Sequence, residues 1–312
     1  MYRFWYNLLK QIIAGVLMTH NFNNYPTTNS ETKKVAVFND ISGFGKCSLT
    51  AAIAVLSVMG IQPCPIPTAV LTNQTEFNHY YCADMTEHIG HYADIWKKNN
   101  EDFDGIYSGY VDNQEQIDII SDFITKFKKS YTKILVDPVM GDNGSTYPSY
   151  TAKACEKMRK LAKKADLITP NLTELCILSD INYNDLKAKE TDSNYFEVIA
   201  KTAHNLIAHQ NQSIVVTGIL KDSYIYNAVF SKTENIFIKS EKYGNSFSGT
   251  GDLFASVLCG YLINNMDIVS GVDKASKFIE TAIKDTIKSP FDRNHGINFE
   301  KYLYTLATGG NN

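Results

Sequence analysis

Residues 246–261 read SFSGTGDLFASVLCGY, where small residues give way without a break to an apolar helical pattern. Gly249 and Gly251 permit backbone angles that other residues avoid, and they leave room for a ligand to approach the main chain. Leu253, Phe254, Val257, Leu258 and Tyr261 recur at helical spacing, which puts the glycines at a helix N-terminus. Unpaired amides and the positive end of the helix dipole suit such a place to an anion, phosphate above all. Asp252 falls in the first turn, where it either caps the helix or acts as a base. An anion cradle beside a carboxylate is what phosphoryl transfer to a hydroxyl requires.

Upstream of this stretch, apolar β-rich runs alternate with helical patterns. Strands are expected over 35–39, 64–71, 105–108, 133–136, 166–169 and 213–217, and helices over 48–59, 84–98, 114–128, 151–164 and 196–209. Such alternation implies βαβ units, so the fold class is α/β, with a mainly parallel central sheet and helices on both faces. Two further runs, 224–230 and 235–239, read as an antiparallel pair at one edge, and a last helix is expected over 272–287. No internal period is present, which excludes a repeat protein. In open α/β sheets ligands bind beyond the carboxyl ends of the strands. Polar or glycine-rich clusters follow the strands at 39–40, 72–75, 109–110, 137–144, 169–171 and 217–218. They are expected to converge on one sheet edge.

The composition fits a globular protein: 44% of the 312 residues are hydrophobic and 20% charged. A formal net charge of -3 provides no basic field for nucleic acid. Six cysteines show neither CxxC nor paired zinc spacing, so reduced thiols are expected and a cytoplasmic location with them. The segment 1–33 differs from the rest. Its apolar start is interrupted by Lys10 and Gln11, and the run 12–18 is too short to span a membrane. It reads as a disordered extension or as sequence ahead of a native start at Met18, with a poor signal peptide or an interfacial helix as alternatives. The folded domain is placed at 34–312.

Other motifs bear on the same chemistry. GFGKCS at 43–48 fails as a Walker loop, because Asp40 stands where its first glycine belongs and Cys47 follows the lysine. It fails as a dinucleotide fingerprint because Ser48 replaces the third glycine. Gly43 and Gly45 then mark either a tight strand-to-helix turn or a loop over a substrate. VDPVMGDNG puts Asp137 directly after an apolar strand and Asp142 in a glycine-rich loop. Carboxylates so placed hold Mg²⁺ or organise nucleotide phosphates, or Asp137 merely ends the strand. In TPNLTEL, Pro170 suits a helix start and Glu174 its first turn, as a cap or facing the cleft. Cys82, His88 and His91 lack the spacing of a helical zinc site, and no GxSxG elbow occurs.

Together these motifs resemble the pyridoxal/pyridoxamine kinase group of the ribokinase-like superfamily, over roughly 34–287. DISGFGKCSLTAAIAVLSVMGI, IPTAVLTNQTEF, SGYVDN, VDPVMGDNG, TPNLTEL and SGTGDLFASVL occur in the family's order. The resemblance implies a ribokinase-like fold and ATP-dependent phosphorylation of the 5'-hydroxymethyl group of pyridoxal, pyridoxine or pyridoxamine. It implies Asp252 as base, and Gly249, Thr250 and Gly251 as the hole for the γ-phosphoryl group. Asp137, Thr169, Asn171, Glu174 and Thr217, with Gly218, are expected to serve ATP and its Mg²⁺ or a monovalent cation such as K⁺. Asp142 joins the expected metal set, and Asp40, Thr75 and Tyr110 match positions facing the vitamin. Asp40 departs from members with Ser there, and Gly218 replaces a hydroxyl found in some relatives. A homodimer and no membrane span are implied. The alternatives are a hydroxymethylpyrimidine kinase, many of which carry Cys where Asp252 stands, and a non-catalytic sensor on the same fold. A ribokinase-type sugar kinase lacks support, because no GGxxxN-like sugar motif is present.

Overall fold

Alternate strand residues serve two separate cores, which is why the strands read as nearly continuous apolar runs. The computed structural model describes residues 32–244 and 246–307. The chain runs β1 (Lys34–Ser42), α1 (Ser48–Val58), β2 (Gln62–Leu71), β3 (Cys82–Asp84), α2 (Thr86–Lys98), β4 (Gly105–Ser108) and α3 (Gln114–Phe127). Then come β5 (Lys133–Val136), a small hairpin of β6 (Gly141–Asp142) and β7 (Ser145–Thr146), α4 (Ala152–Ala162), β8 (Leu167–Ile168) and α5 (Leu172–Ser179). α6 (Tyr183–Lys187), α7 (Tyr195–Leu206), β9 (Ser213–Lys221), β10 (Tyr224–Phe230) and β11 (Asn235–Glu241) follow. The chain closes with α8 (Thr250–Ile263), α9 (Ile268–Thr286) and two 3-10 turns, Arg293–His295 and Glu300–Leu306.

The described residues form a nine-stranded sheet in the order β11-β10-β9-β8-β5-β4-β1-β2-β3. The six strands from β9 to β2 pair in parallel, and β10 and β11 add the expected antiparallel edge. An antiparallel strand at the opposite edge, β3, was not expected. Phe38, Ile106, Ile134, Val136, Ile168 and Ile214 face one core, while Val37, Tyr107, Leu135, Leu167 and Val215 face the other. Parallel sheets covered on both faces require this two-sided burial.

α1 and α8 are buried on almost every side and lie together on the second face. A Cβ on Gly260 would meet the Met59 side chain at 2.3 Å, so the glycine sets how closely the end of α8 approaches the end of α1. This close approach brings the two helix N-termini, at Ser48 and Thr250, to the same end of the sheet.

The extension expected over 1–33 lies outside the described residues apart from Thr32 and Lys33. The Lys33 ammonium donates to the Ile263 carbonyl, at the C-terminal end of α8, at 2.7 Å. All six cysteines are unpaired, as their scatter implied. No helix among the described residues is long and apolar enough to cross a membrane.

Candidate functional site

At the carboxyl edge of the sheet, the register between β1 and β2 breaks. Between Asn39 and Ile41 the β2 partner advances from Pro67 to Val70, so the extra residue of the bulge lies on β2, opposite Asp40. Bulges re-aim side chains beside functional sites. Here two consecutive polar residues, Asn39 and Asp40, are both buried. The Asn39 amide donates to Asp252 Oδ1 at 3.2 Å, and its Oδ1 accepts from the backbone amides of Tyr110 and Asp40, both at 3.0 Å. Gly109 makes room for this, since a Cβ there would lie 2.4 Å from the Asn39 nitrogen. Asp40 accepts from the Ser42 hydroxyl at 2.9 Å, and burial pushes its pKa up.

Asp252 stands in the first turn of α8, and Gly249 caps that helix in the left-handed region with φ 79°. Gly249 gives α8 no side-chain cap, so its first amides are left for a ligand. A Cβ on Gly251 would meet nothing within 4 Å, so the cradle is open on that side. The Thr250 hydroxyl donates to the Phe247 carbonyl at 3.0 Å and fixes the turn. Burial pushes the Asp252 pKa up to about 6, Asp40 adds to this, and the Ser48 amide and Asn39 pull the other way. Ser48 sits at φ 52°, an unusual angle for a non-glycine residue, at the first position of α1. Cys47 beside it is buried, and its thiol is pushed up to about 12, so it stays protonated and inert at neutral pH.

The second half of the site lies along β5, β8 and β9. Asp137 accepts from the Thr169 hydroxyl at 2.8 Å, and the Asn171–Thr217 bridge carries β8 onto β9. Asn171 and Glu174 form a reciprocal capping box at the start of α5. Glu174 also accepts from the Met140 amide at 3.1 Å, and the Asn171 amide group donates to the Gly141 carbonyl at 2.8 Å. Of the two roles the sequence allows Glu174, capping and facing the cleft, the structure shows it capping, with its side chain buried. Burial raises the pKa of both Asp137 and Glu174; the Asp252 carboxylate adds to the rise at Asp137, and Asp137 adds to that at Glu174. Gly218 lies in a second irregularity of the sheet with φ 67°, and open space surrounds its missing Cβ. The strand expected to end at 217 therefore continues through it.

The structure thus gathers Asp40, Tyr110, Asp137, Thr169, Asn171, Glu174, Thr217, Gly218 and the 249–252 turn at one edge. Two expected site residues stand apart from this hydrogen-bonded set. Asp142 is exposed in the β6–β7 hairpin, where both its oxygens are taken by Asn143. Thr75 is exposed on the loop after β2, and it is its neighbour Gln74 that is buried. Asn39 and Ser48 hold the 252 carboxylate and were not singled out from sequence. Asn39 offered only a weak signal, a polar residue where an apolar run reaches the sheet edge.

Among the described residues, no group of three or more His, Cys, Asp or Glu side chains could enclose a metal ion. Asp137 and Glu174 nonetheless fit Mg²⁺ of the kind held by one or two carboxylates, water and substrate phosphates. The charges raising their pKa values are carboxylates, and a cation beside them would relieve that repulsion.

The chain is similar to known proteins described as kinases. The sequence family described as phosphomethylpyrimidine kinase matches residues 44–297. A solved protein of Bacteroides thetaiotaomicron, described as a candidate phosphomethylpyrimidine kinase and crystallised with pyridoxal, is 34% identical with a TM-score of 0.78. That match covers 90% of this chain and 98% of the other. The pyridoxal kinase of Dictyostelium discoideum is 26% identical over 267 residues, 82% of this chain and 86% of that protein. The pyridoxal kinase of Leishmania donovani, solved with ADP and pyridoxamine, shares the fold at a TM-score of 0.77 and 21% identity, over 88% and 95% of the two chains.

Proposed function

Because this chain belongs to the phosphomethylpyrimidine and pyridoxal kinase family of the ribokinase-like superfamily, we propose that it phosphorylates the 5'-hydroxymethyl group of B6 vitamers with ATP. The observation that carries the proposal is the Asn39–Asp252 pair at the uncapped N-terminus of α8. It puts a fixed carboxylate next to free helix amides, as transfer from ATP to an alcohol needs. Asp252 takes the proton of the acceptor hydroxyl as its oxygen attacks the γ-phosphorus, and ADP leaves. The amides of Gly249, Thr250 and Gly251 stabilise charge on the transferring phosphoryl oxygens. Asp40 and Tyr110 face the acceptor, with Thr75 on the adjoining loop. Asn171, Thr217 and Gly218 line the nucleotide side. Asp137 and Glu174 would hold Mg²⁺, with Thr169 orienting Asp137; when bound, the ion neutralises phosphate charge. The proposal includes a homodimer and a cytoplasmic location.

Turnover of ATP by the purified chain with pyridoxal, hydroxymethylpyrimidine and ribose in separate reactions tests the reading. A second reading, phosphorylation of hydroxymethylpyrimidine, is favoured by the description of the matching family, and a preference for that acceptor would establish it. ATP binding without turnover of any acceptor would instead favour a sensor.

A base with a pKa raised to about 6 gives a rate that climbs between pH 5 and 7 as Asp252 loses its proton. The kcat/KM profile is expected to show that acid limb, and a flat profile over this range would exclude Asp252 as the base. Asn39 lowers the Asp252 pKa. Asn39→Ala should therefore move the limb to higher pH and reduce kcat about tenfold, the worth of one hydrogen bond to a charged group. An unmoved limb would mean that Asn39 does not hold the base.

A further inference from the structure

Gln74 lies beside Thr75 in the IPTAVLTNQTEF motif with no expected role of its own, yet its side chain makes three hydrogen bonds around the cradle. It is 8% exposed, in the loop that follows β2. Its amide nitrogen donates to Ser248 Oγ at 3.3 Å and to the Asn294 carbonyl at 3.2 Å. Its Oε1 accepts from the Glu76 amide at 2.8 Å, and its own backbone amide donates to the Phe44 carbonyl at 3.0 Å. Four segments distant in sequence meet there: the glycine loop after β1, the acceptor-side loop after β2, the turn before α8 and the C-terminal 3-10 turn.

The surroundings leave no slack. A Cβ on Gly45 would lie 2.9 Å from Gln74 Cγ, and one on Gly249 would lie 2.1 Å from the Lys46 carbonyl oxygen. Arg293 closes the ring from outside. Its guanidinium donates to the carbonyl and hydroxyl of Ser246 at 3.1 and 3.0 Å and pairs with Glu76 at 3.1 Å. Asn294 donates to the Glu76 carbonyl at 3.0 Å, and the rings of Phe44, Phe77 and His295 pack together over the same junction.

Resting on the kinase reading above, we propose that Gln74 is a positioning residue that registers the acceptor loop against the phosphoryl cradle. With Arg293 it forms a clasp that directs the γ-phosphoryl group to the acceptor hydroxyl rather than to water. Only an amide can fill this place, because it donates to Ser248 and Asn294 while accepting from Glu76. Loosening it frees the Ser248–Gly249 turn and the Thr75 loop to move independently. A misplacement of about 1 Å in such a constellation reduces transfer about 10²-fold. Water then attacks the γ-phosphorus in place of the hydroxyl and gives ADP and inorganic phosphate.

The test compares acceptor-independent ATP hydrolysis with phosphorylation of whichever acceptor the wild type uses, for Gln74→Ala, Gln74→Glu and Arg293→Ala. Failure of the wild type on every B6 vitamer would remove the vitamer assignment and leave this ratio measurable with another acceptor. The ratio of hydrolysis to transfer is expected to rise at least tenfold in both Gln74 variants and about threefold in Arg293→Ala, with thermal midpoints within a few degrees of wild type. A lowered rate with an unchanged ratio would mean that Gln74 only supports the loop, and would overturn the proposal. Should the Gln74 variants fail to fold, the ratio in Arg293→Ala, an exposed position, decides in the same way.

Discussion

Asp252→Asn is expected to lower kcat about 10³-fold, within the span that general-base catalysis contributes, while ATP binding stays close to wild type. Asparagine keeps the volume and can still accept from Asn39, so the cradle is retained and only the proton acceptor is lost. The stability effect should run the other way. Asp252 has a raised pKa in the folded chain, so the folded state holds a proton that the unfolded chain releases at lower pH. Its contribution is therefore full below the ordinary aspartate range and is lost as pH rises through about 6. At neutral pH the buried charge also faces Asp40 and Asp137. Asp252→Asn should consequently melt at or above the wild-type temperature at pH 7, with the difference shrinking toward pH 4. Melting curves at both pH values check this, together with single-turnover kinetics. A variant that is both inactive and strongly destabilised would mean that the carboxylate is a structural cap.

Gly249→Ala is expected to be nearly as damaging for a different reason. The position combines φ 79° with a site where a Cβ would lie 2.1 Å from the Lys46 carbonyl oxygen. A side chain in the left-handed region costs about 1–2 kcal/mol, and the contact forces the turn away from the glycine loop as well. Displacing one amide of an anion hole reduces kcat about 10²–10³-fold. Steady-state kinetics should show that loss at saturating acceptor, with a thermal midpoint lowered by several degrees. Gly251→Ala is the internal contrast, because open space surrounds its Cβ position; its fold should be unaffected.

The sheet was legible because both faces of each central strand are buried, so 105–107 and 134–136 are apolar without interruption. Legibility failed where chemistry enters the strands. β1 runs on through Asn39, Asp40 and Ser42, and β9 through Thr217 and Gly218; the polar residues that furnish the site read as loops. β3, the β6–β7 hairpin and α6 are two to five residues long, too short for any period to register. The 249–252 cradle was readable because its parts are contiguous. Asn39 and Gln74 were not, since their partners lie 213 and 174 residues away. Glu174 was readable as a first-turn carboxylate, but that it caps α5 while facing Asp137 depends on packing of α5 against the sheet edge.

The claim that the cradle serves a B6 vitamer is tested most directly by product identification under competition. Purified chain with Mg²⁺ and ATP is given pyridoxal, pyridoxine, pyridoxamine and hydroxymethylpyrimidine at equal concentrations, and the phosphorylated products are resolved by mass spectrometry. The account predicts that vitamer 5'-phosphates dominate and disappear with Asp252→Asn. Phosphorylated hydroxymethylpyrimidine as the main product would contradict it.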